Sequence, residues 1–195
     1  MKRQVLCIAL LSFFLTACVN LDPVEDDLQM YALGSVSDRP ETEFPEETEN
    51  VVYIARPDLP AYLSNNRILI RSADGEIKHL GGIRWVEPLE EGVARALSEY
   101  ISRANGQFVA GYYPWPRLDR KTPQVRVRFS ELSFEDDGSI HVVAFWWESR
   151  DEEVLKGGVF EPNDIAWTPG EPATLVTAFN EILEALGNQI AAKRE

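Results

Sequence analysis

The stretch Val125-Arg126-Val127-Arg128-Phe129, followed after the turn Asp136-Asp137-Gly138 by the largely apolar run 140–147, decides how this chain is expected to fold. Apolar and charged side chains alternate along the first stretch, which is the period of a β-strand with one buried and one polar face. A further turn near Arg150-Asp151 leads to a third strand-like run, at residues 154–160. The pattern predicts an antiparallel β-meander.

Two amphipathic helices are predicted on either side of this meander. The first begins at Pro88 and ends at Asn105-Gly106, because proline suits the first helical position and Asn-Gly stops a helix. The second is predicted to begin with a capping box between Thr168 and Glu171, with Pro169 in its first turn. Its apolar residues recur at helical spacing and form a stripe broad enough to cover a sheet: Leu175, Val176, Phe179, Ile182, Leu183, Leu186 and Ile190.

Shorter strand-like runs lie before and after the first helix. They occupy residues 51–54, 67–71, 76–80 and 107–112, and turn-forming residues separate them. With the meander, they bring the expected number of strands to about six. Two amphipathic helices and about six strands predict an α/β sandwich around a mixed β-sheet.

Residues 1–17 have the pattern of a secretory signal peptide. A basic start at Lys2 and Arg3 is followed by an apolar run at 5–15, too short for the roughly 20 residues that span a bilayer. Leu15-Thr16-Ala17-Cys18 then resembles the bacterial lipobox, in which the cysteine becomes the first mature residue and accepts a diacylglycerol through a thioether. An ordinary secretory signal with an incidental cysteine is the alternative, but the match at all four positions favours lipid attachment.

Lipidation of Cys18 would anchor the protein to a membrane through its acyl chains, of which palmitate is an example. Two chains already give stable attachment, at about 0.8 kcal/mol for each buried methylene group. The residue that follows is Val19, not the aspartate that typically retains lipoproteins in the inner membrane. We therefore expect a lipid-anchored protein on the periplasmic face of the outer membrane.

Charge and cysteine content exclude several classes of protein. The chain of 195 residues has a formal net charge of −13, a surface that repels nucleic-acid phosphates. Cys7 lies in the predicted signal peptide, so Cys18 would be the sole cysteine of the processed chain. An internal disulfide and a cysteine metal cluster are therefore excluded, and no metal site or cofactor is predicted.

The processed chain is predicted to hold one domain behind a tether. Residues 18–50 are expected to be a lipidated acidic tether, since proline and acidic residues dominate a segment with little apolar surface to bury. A short strand at 29–33 is left open within it, with 38–50 as an acidic loop. Residues 51–195 are expected to form a single α/β domain.

No catalytic constellation is found in the sequence. His79 and His141 each lie in a predicted strand, away from any nucleophile motif. Glu90-Glu91 and Glu152-Glu153 are the densest carboxylate pairs, one beginning a helix and the other in a turn. Solvated charge is the favoured interpretation for both pairs, with an acid/base pair as the alternative.

Aromatic residues supply the candidate recognition elements. Trp146 and Trp147 are adjacent in a strand and must point to opposite faces, so both are core if helices cover both faces, and one is an exposed anchor if a face is open. The segment Tyr112-Tyr113-Pro114-Trp115-Pro116 lies at a strand end, and two prolines stiffen it. We take Tyr112, Tyr113 and Trp115 as a candidate recognition loop, with packing against the rim of the sheet as the alternative.

Three short motifs resemble those of the ABC-type transport auxiliary lipoproteins, the PqiC-like family. They are Leu59-Pro60-Ala61-Tyr62-Leu63, Arg67-Ile68-Leu69-Ile70-Arg71 and Arg84-Trp85-Val86-Glu87-Pro88-Leu89. In the family pattern a proline-tyrosine-leucine turn precedes a strand that ends in arginine, and an Arg-Trp step opens the helix. The resemblance extends over most of residues 29–190. It implies a small three-layer α/β sandwich with a mixed sheet, in which Pro60, Tyr62, Leu63, Arg71, Arg84 and Trp85 are expected to be structural.

The resemblance also implies a function. Members of this family work beside MCE-type systems, in which MCE-domain proteins bridge the periplasm to carry lipids between membranes. The leading hypothesis is a non-enzymatic docking component for such a system, supporting lipid trafficking and envelope integrity, with an MCE-domain protein as partner. A membrane-anchored periplasmic enzyme acting on cell-wall or glycan material through a carboxylate pair is the competing hypothesis, and a lipid-holding apolar pocket is a third. The sequence leaves open whether copies of the chain assemble into rings.

Overall fold

The strands of this protein form two mixed β-sheets, which two long helices hold together. The computed structural model describes residues 28–35, 51–105, 108–117, 119 and 121–192. The strands are β1 (Gln29–Tyr31), β2 (Val51–Ile54), β3 (Arg67–Arg71), β4 (Ile77–Trp85), β5 (Phe108–Tyr112), β6 (Gln124–Phe134), β7 (Ile140–Arg150) and β8 (Glu153–Phe160). Among the described residues, the helices are α1 (Leu89–Asn105) and α2 (Pro172–Ala192), and a 3₁₀ turn spans Ala61–Leu63.

The larger sheet contains the predicted meander. Its strand order is β5-β2-β6-β7-β8, with β2 parallel to both of its neighbours and with β6, β7 and β8 antiparallel. The smaller sheet has the order β1-β4-β3, in which β1 runs parallel and β3 antiparallel to β4. The predicted mixed α/β class, the meander and the two amphipathic helices are confirmed, with the strands divided between two sheets.

One hydrophobic core joins the helices to both sheets. Val125, Val127 and Phe129 of β6 are buried in it, and Arg126 and Arg128 point to the opposite, exposed face, as the alternation predicts. The core also holds the apolar stripe of α2 and the buried face of α1. Burial of these side chains is the main stabilising contribution to such a fold.

Aromatic contacts link α2 to the two sheets at once. The ring of Phe179 lies 6.2 Å from that of Trp85 in β4 and 5.4 Å from that of Phe134 in β6, centroid to centroid. At Gly187 the two helices come very close, since a Cβ atom there would lie 2.8 Å from the Cβ atom of Tyr100. Helix α2 therefore packs on the rest of the domain along its full length.

The start of α2 differs from the prediction. The helix begins at Pro172, so the predicted capping box of Thr168 and Glu171 is wrong. Gly170 has a φ of 89°, a left-handed conformation that breaks the helical path after Pro169. Pro172 then takes the first helical position, where its missing N–H group leaves no helical bond unmade.

Other predicted elements lie close to their observed bounds. Helix α1 begins one residue after Pro88, strand β3 has its predicted bounds, and β4, β6 and β7 extend further than their apolar runs. Strand β1 pairs with β4 in the register Gln29↔Ile83, inside the segment where a short strand was left open. The predicted signal peptide, Cys18, most of the predicted tether and the acidic loop at 38–50 lie outside the described residues. Of the helices described, none has the length and apolar character needed to span a bilayer.

Candidate functional site

The candidate recognition loop follows directly from the end of β5. Tyr113 donates its backbone N–H to Ile54 O at 2.9 Å, and Trp115 donates its own to Tyr112 O at 3.0 Å. The Tyr53 hydroxyl donates to Trp115 O at 2.6 Å. These bonds hold the loop backbone against β2, whereas the Trp115 side chain is 66% exposed. The structure therefore presents an exposed indole on a fixed turn.

Tyr53 is the residue that attaches this loop to the large sheet. Burial raises the pKa of its hydroxyl above the ordinary value, with a smaller, opposite effect from the Arg117 guanidinium. The protonated hydroxyl is the form that can donate to Trp115 O. Sequence analysis placed Tyr53 in a strand but gave no sign of this bond, which joins residues 62 positions apart.

An arginine holds the other side of the loop. The Arg56 guanidinium lies 5.4 Å from the centre of the Tyr113 ring, within the range of a cation–π contact. The same side chain forms a salt bridge of 3.3 Å with Glu90 at the start of α1. Glu90, one of the two adjacent glutamates at the start of α1, is buried. Its carboxylate therefore holds Arg56 between the loop and the helix.

The family-motif residues Pro60, Tyr62 and Leu63 pack the 3₁₀ turn onto β6. The Tyr62 hydroxyl donates to Leu132 O at 2.6 Å, and Leu63 is buried in the core. Pro60 accepts the N–H of Leu63 at 2.9 Å and so begins the turn. Burial raises the pKa of the Tyr62 hydroxyl as well. These contacts fit the structural role expected of the three residues, which stays a prediction.

Arg71 joins the smaller sheet to the larger one. Its Nε donates to Glu135 at 2.9 Å and its terminal nitrogen lies 2.9 Å from the same carboxylate. The Ser133 hydroxyl donates to Glu135 at 2.7 Å, and Asp136 donates its backbone N–H to Arg71 O at 3.0 Å. Residues 71 and 135 lie 64 positions apart, so sequence reasoning could identify the arginine but not its partner.

Arg84 and Trp85 end β4 rather than open the helix. The Trp85 side chain is buried against Phe179, and Arg84 is exposed. Helix α1 begins only after the intervening Glu87 and Pro88. The burial of Trp85 fits the structural role expected of it, which stays a prediction.

The two adjacent tryptophans of β7 have different environments. Trp146 is buried in the core beneath the helices, whereas Trp147 is half-buried on the opposite face beside Phe145, which is 43% exposed. One face of the large sheet is therefore open here, which resolves the alternative that the sequence left between two core tryptophans and one exposed anchor.

The candidates for acid/base chemistry lie apart in the fold. His79 and His141 are exposed on β4 and β7, and Glu152-Glu153 lie at the β7–β8 turn. In the described residues no hydrogen bond or salt bridge joins this pair to Glu90-Glu91. No group of three or more metal-ligating side chains occurs within the same residues.

One small pocket lies between β1, the end of β4 and α1, and another lies between the 3₁₀ turn, β3, the start of β4 and the end of β6. The first, beside Leu33 and Trp85, has about 140 Å³ of empty space, and the second, beside Tyr62 and Phe134, has about 190 Å³; both volumes include space open to solvent. Binding sites for small molecules have volumes of roughly 300–1,000 Å³. Neither pocket supports the hypothesis that the domain holds a lipid.

Comparison with known proteins identifies the family. A family model described as "ABC-type transport auxiliary lipoprotein component" matches residues 31–191. A crystal structure of an uncharacterized protein superposes with a TM-score of 0.62 at 14% sequence identity, covering 75% of this chain and 92% of that chain. The crystal structure of protein XCC0632 from Xanthomonas campestris gives a TM-score of 0.58 at 15% identity, covering 84% and 92%. At such identities the likeness shows the fold alone, and no curated protein matches the sequence.

The family match confirms the resemblance that the motifs at residues 59–89 suggested, since it covers the strands and helices of the domain as well as those motifs. The chain belongs to the family of ABC-type transport auxiliary lipoprotein components.

Proposed function

We propose that this protein is a non-enzymatic docking component that holds an MCE-domain protein of an ABC-type lipid-transport system at the outer membrane. The observation that carries the proposal is the family match over residues 31–191, which makes the chain an auxiliary component of transport. Its role would be to support lipid trafficking between membranes and the integrity of the cell envelope. Lipids cross water poorly because their acyl chains are apolar, so an acceptor at the far membrane must hold the end of the carrier close to the bilayer.

The membrane anchor in this proposal is a lipid on Cys18. A lipidated cysteine with two or more acyl chains would keep the domain on the membrane, and the acidic segment behind it would act as a tether. Tethering raises the effective concentration of the domain near a partner at the same membrane. Val19 after the cysteine supports the outer membrane as the location.

Trp115 supports a docking role rather than a catalytic one. Its ring is exposed on a loop whose backbone is bonded to Tyr53 and whose Tyr113 ring lies against Arg56. A loop whose backbone is already held in place loses little conformational entropy on binding, and tryptophan is enriched among residues that dominate binding energy. Tyr112, Tyr113 and Trp115 remain our candidates for partner contact.

The central experiment is affinity purification of the full lipidated protein from its own cells in mild detergent. We expect an MCE-domain protein to co-purify, and a Trp115→Ala variant to recover several-fold less of it. Val86→Ala is the matched control, because Val86 is also a large exposed apolar residue but lies far along the chain from the loop. Repeated failure to recover any transporter component with the wild-type protein would refute the docking role.

Anchor and location are tested separately. Intact mass should show a mature protein that begins with an acylated Cys18, and membrane fractionation should place it with the outer membrane. A Cys18→Ser variant should leave the membrane fraction. A mature terminus other than acylated Cys18 would remove the anchor from the proposal.

A further inference from the structure

The face of the large sheet that the helices leave open carries a distinct set of side chains. Strand register places Arg126 opposite Trp147, and Arg128 opposite Phe145, on adjacent strands β6 and β7. On β8, Gly157 lies opposite Trp147 and Val159 lies opposite Phe145. Because Val125, Val127 and Trp146 on the other face belong to the core, these six positions all lie on the open face.

The recognition loop borders the same face. Tyr53 of β2 pairs with Gln124, two residues before Arg126, so its side chain belongs to the open side of the sheet. The loop carbonyl that Tyr53 holds is that of Trp115. With its amide oriented to satisfy both groups, Gln124 accepts a hydrogen bond from the Arg126 guanidinium at 3.1 Å. We define Trp115, Arg126, Arg128, Phe145, Trp147 and Val159 as the aromatic–arginine face.

The charge of this face contrasts with that of the chain. The protein has a net charge of −13, yet two arginines occupy the centre of the face. The carboxylates near them are Asp58, which lies 3.3 Å from Arg128 with both side chains exposed, and Glu131 further along β6. A solvent-exposed pair of this kind contributes little and exchanges readily with a partner's carboxylate.

Exposed apolar surface accompanies the two cations. Phe145 is 43% and Val159 52% exposed, and Leu155 on the edge strand β8 adds further apolar area. Gly157 leaves the Trp147 side chain uncovered on this side, because it has no side chain of its own. A Cβ atom at position 157 would lie 3.3 Å from the Trp147 Cβ atom. Tryptophan, phenylalanine and arginine are the side chains enriched at the centres of protein interfaces.

We propose that the aromatic–arginine face docks a protein partner through a segment in which carboxylates flank apolar side chains. The inference rests on the proposed function and names the surface with which the auxiliary component holds its transporter. Arginine suits this partner because its planar guanidinium binds a carboxylate with two hydrogen bonds. The aromatic rings beside it supply the apolar contact that a flat charged surface lacks.

Two other occupants fit the observations less well. Basic segments that bind anionic membranes carry about four to eight cations, and each contributes about 1 kcal/mol, whereas two arginines here face the net negative charge of the whole chain. A second copy of the chain packed face to face would bring arginines against arginines. A short carboxylate-bearing protein segment needs only these two local cations, and its apolar side chains would contact Phe145, Trp147 and Val159.

The first test locates the partner by photo-crosslinking in the cells that make the protein. The full lipidated chain carries a photoreactive benzoyl-phenylalanine in place of Phe145, and the control carries it in place of Glu184, an exposed position on α2. We expect position 145 to cross-link to a component of the transporter, through a peptide that contains Asp or Glu. Labelling of lipid alone, of a second copy alone, or to the same extent from position 184 would overturn the inference.

The second test changes the sign of the charge. An Arg126→Glu, Arg128→Glu double variant should recover roughly tenfold less of the transporter component than the wild-type protein, and Arg126→Lys, Arg128→Lys should recover much more than the glutamate variant. Circular dichroism should show unchanged folding, since both side chains are exposed. Equal recovery by the wild-type and glutamate proteins would overturn this inference and leave the docking function standing. A wild-type protein that recovers no transporter component would overturn both.

Discussion

The two faces of strands β6 and β7 are built from alternate residues of the same sequence, yet one face is buried in the core and the other is exposed. On one face Val127, Phe129 and Trp146 are buried beneath the helices. On the other face Arg128 and Phe145, one residue away from them, are exposed. The fold is therefore stabilised through one face of the meander, whose side chains form part of the core. The other face is exposed, and it is the surface that we propose binds a partner.

The largest contrast between the faces is expected at two adjacent residues. Trp146→Ala should lower the free energy of unfolding by about 3–5 kcal/mol, because it leaves a cavity in the core beneath the helices. Phe145→Ala should lower it by about 1 kcal/mol or less, because that ring is already partly in water. Urea unfolding followed by circular dichroism measures both. Equal losses at the two positions would refute the division into a structural and an open face.

A second test concerns the contact that joins the small sheet to the end of β6. Glu135→Ala should lower the free energy of unfolding by about 1.5–3 kcal/mol, since it removes the acceptor of Arg71 and of Ser133. Glu131→Ala is the control: this carboxylate lies on β6, shortly before Glu135, and is exposed, so a change within about 0.5 kcal/mol is expected. The same unfolding measurement applies. A loss at Glu131 as large as at Glu135 would show that the ion pair is not what joins the sheets.

Substitution of Gly157 tests how closely the backbone of β8 packs against that of β7 at the edge of the open face. A Cβ atom at Gly157 would lie 2.7 Å from Trp146 O, so Gly157→Ala should lower the free energy of unfolding by about 1–3 kcal/mol. Gly81→Ala offers the matched control, because a Cβ atom there meets nothing within 4 Å. Thermal unfolding of the two variants should separate them by several degrees. Identical unfolding midpoints for Gly157→Ala and Gly81→Ala would show that β8 can shift to accommodate a side chain at position 157 without loss of stability.

The smallest effect expected is a dependence on alkaline pH. Burial raises the pKa of Tyr53, Tyr62 and Tyr100 above the ordinary value of 10.0, so the unfolded chain loses these protons first as the pH rises. Their contribution to stability is therefore complete below pH 10.0 and is lost as the pH rises through the higher pKa values of the folded state.

Tyr53→Phe separates the open-face tyrosine from the other two. It should cost about 0.5–1.5 kcal/mol at neutral pH through the lost bond to Trp115 O, and it should make the alkaline decline shallower. Urea unfolding at pH 8 and at several values above 10 measures the slope. A slope unchanged from the wild-type protein would show that Tyr53 makes no contribution to it.

Some features of the fold and of the site could be predicted, and others could not. The alternation at Val125–Phe129 predicted a strand with one buried face, and the spacing from Leu89 to Ile101 predicted a helix, because both depend on residues close in sequence. The start of α2 was misplaced because Pro169 and Pro172 both suit a first turn, and only the conformation of Gly170 decides between them. The candidate loop could be identified from its aromatic and proline residues, but the Tyr53 hydroxyl that holds it could not.

The sequence by itself determined the approximate positions of the helices and strands, the charge of the chain and the pattern of residues that share a face, since these follow from composition and from periodicity along a few residues. Only the tertiary structure decided which face of the meander the helices cover, and hence that Trp146 is core and Trp147 borders an open surface. It also decided that Arg71 pairs with the Glu135 carboxylate and that the Tyr53 hydroxyl donates to Trp115 O. The physical reason is that such contacts join residues more than 60 positions apart, whose meeting depends on how the whole chain packs its apolar surface.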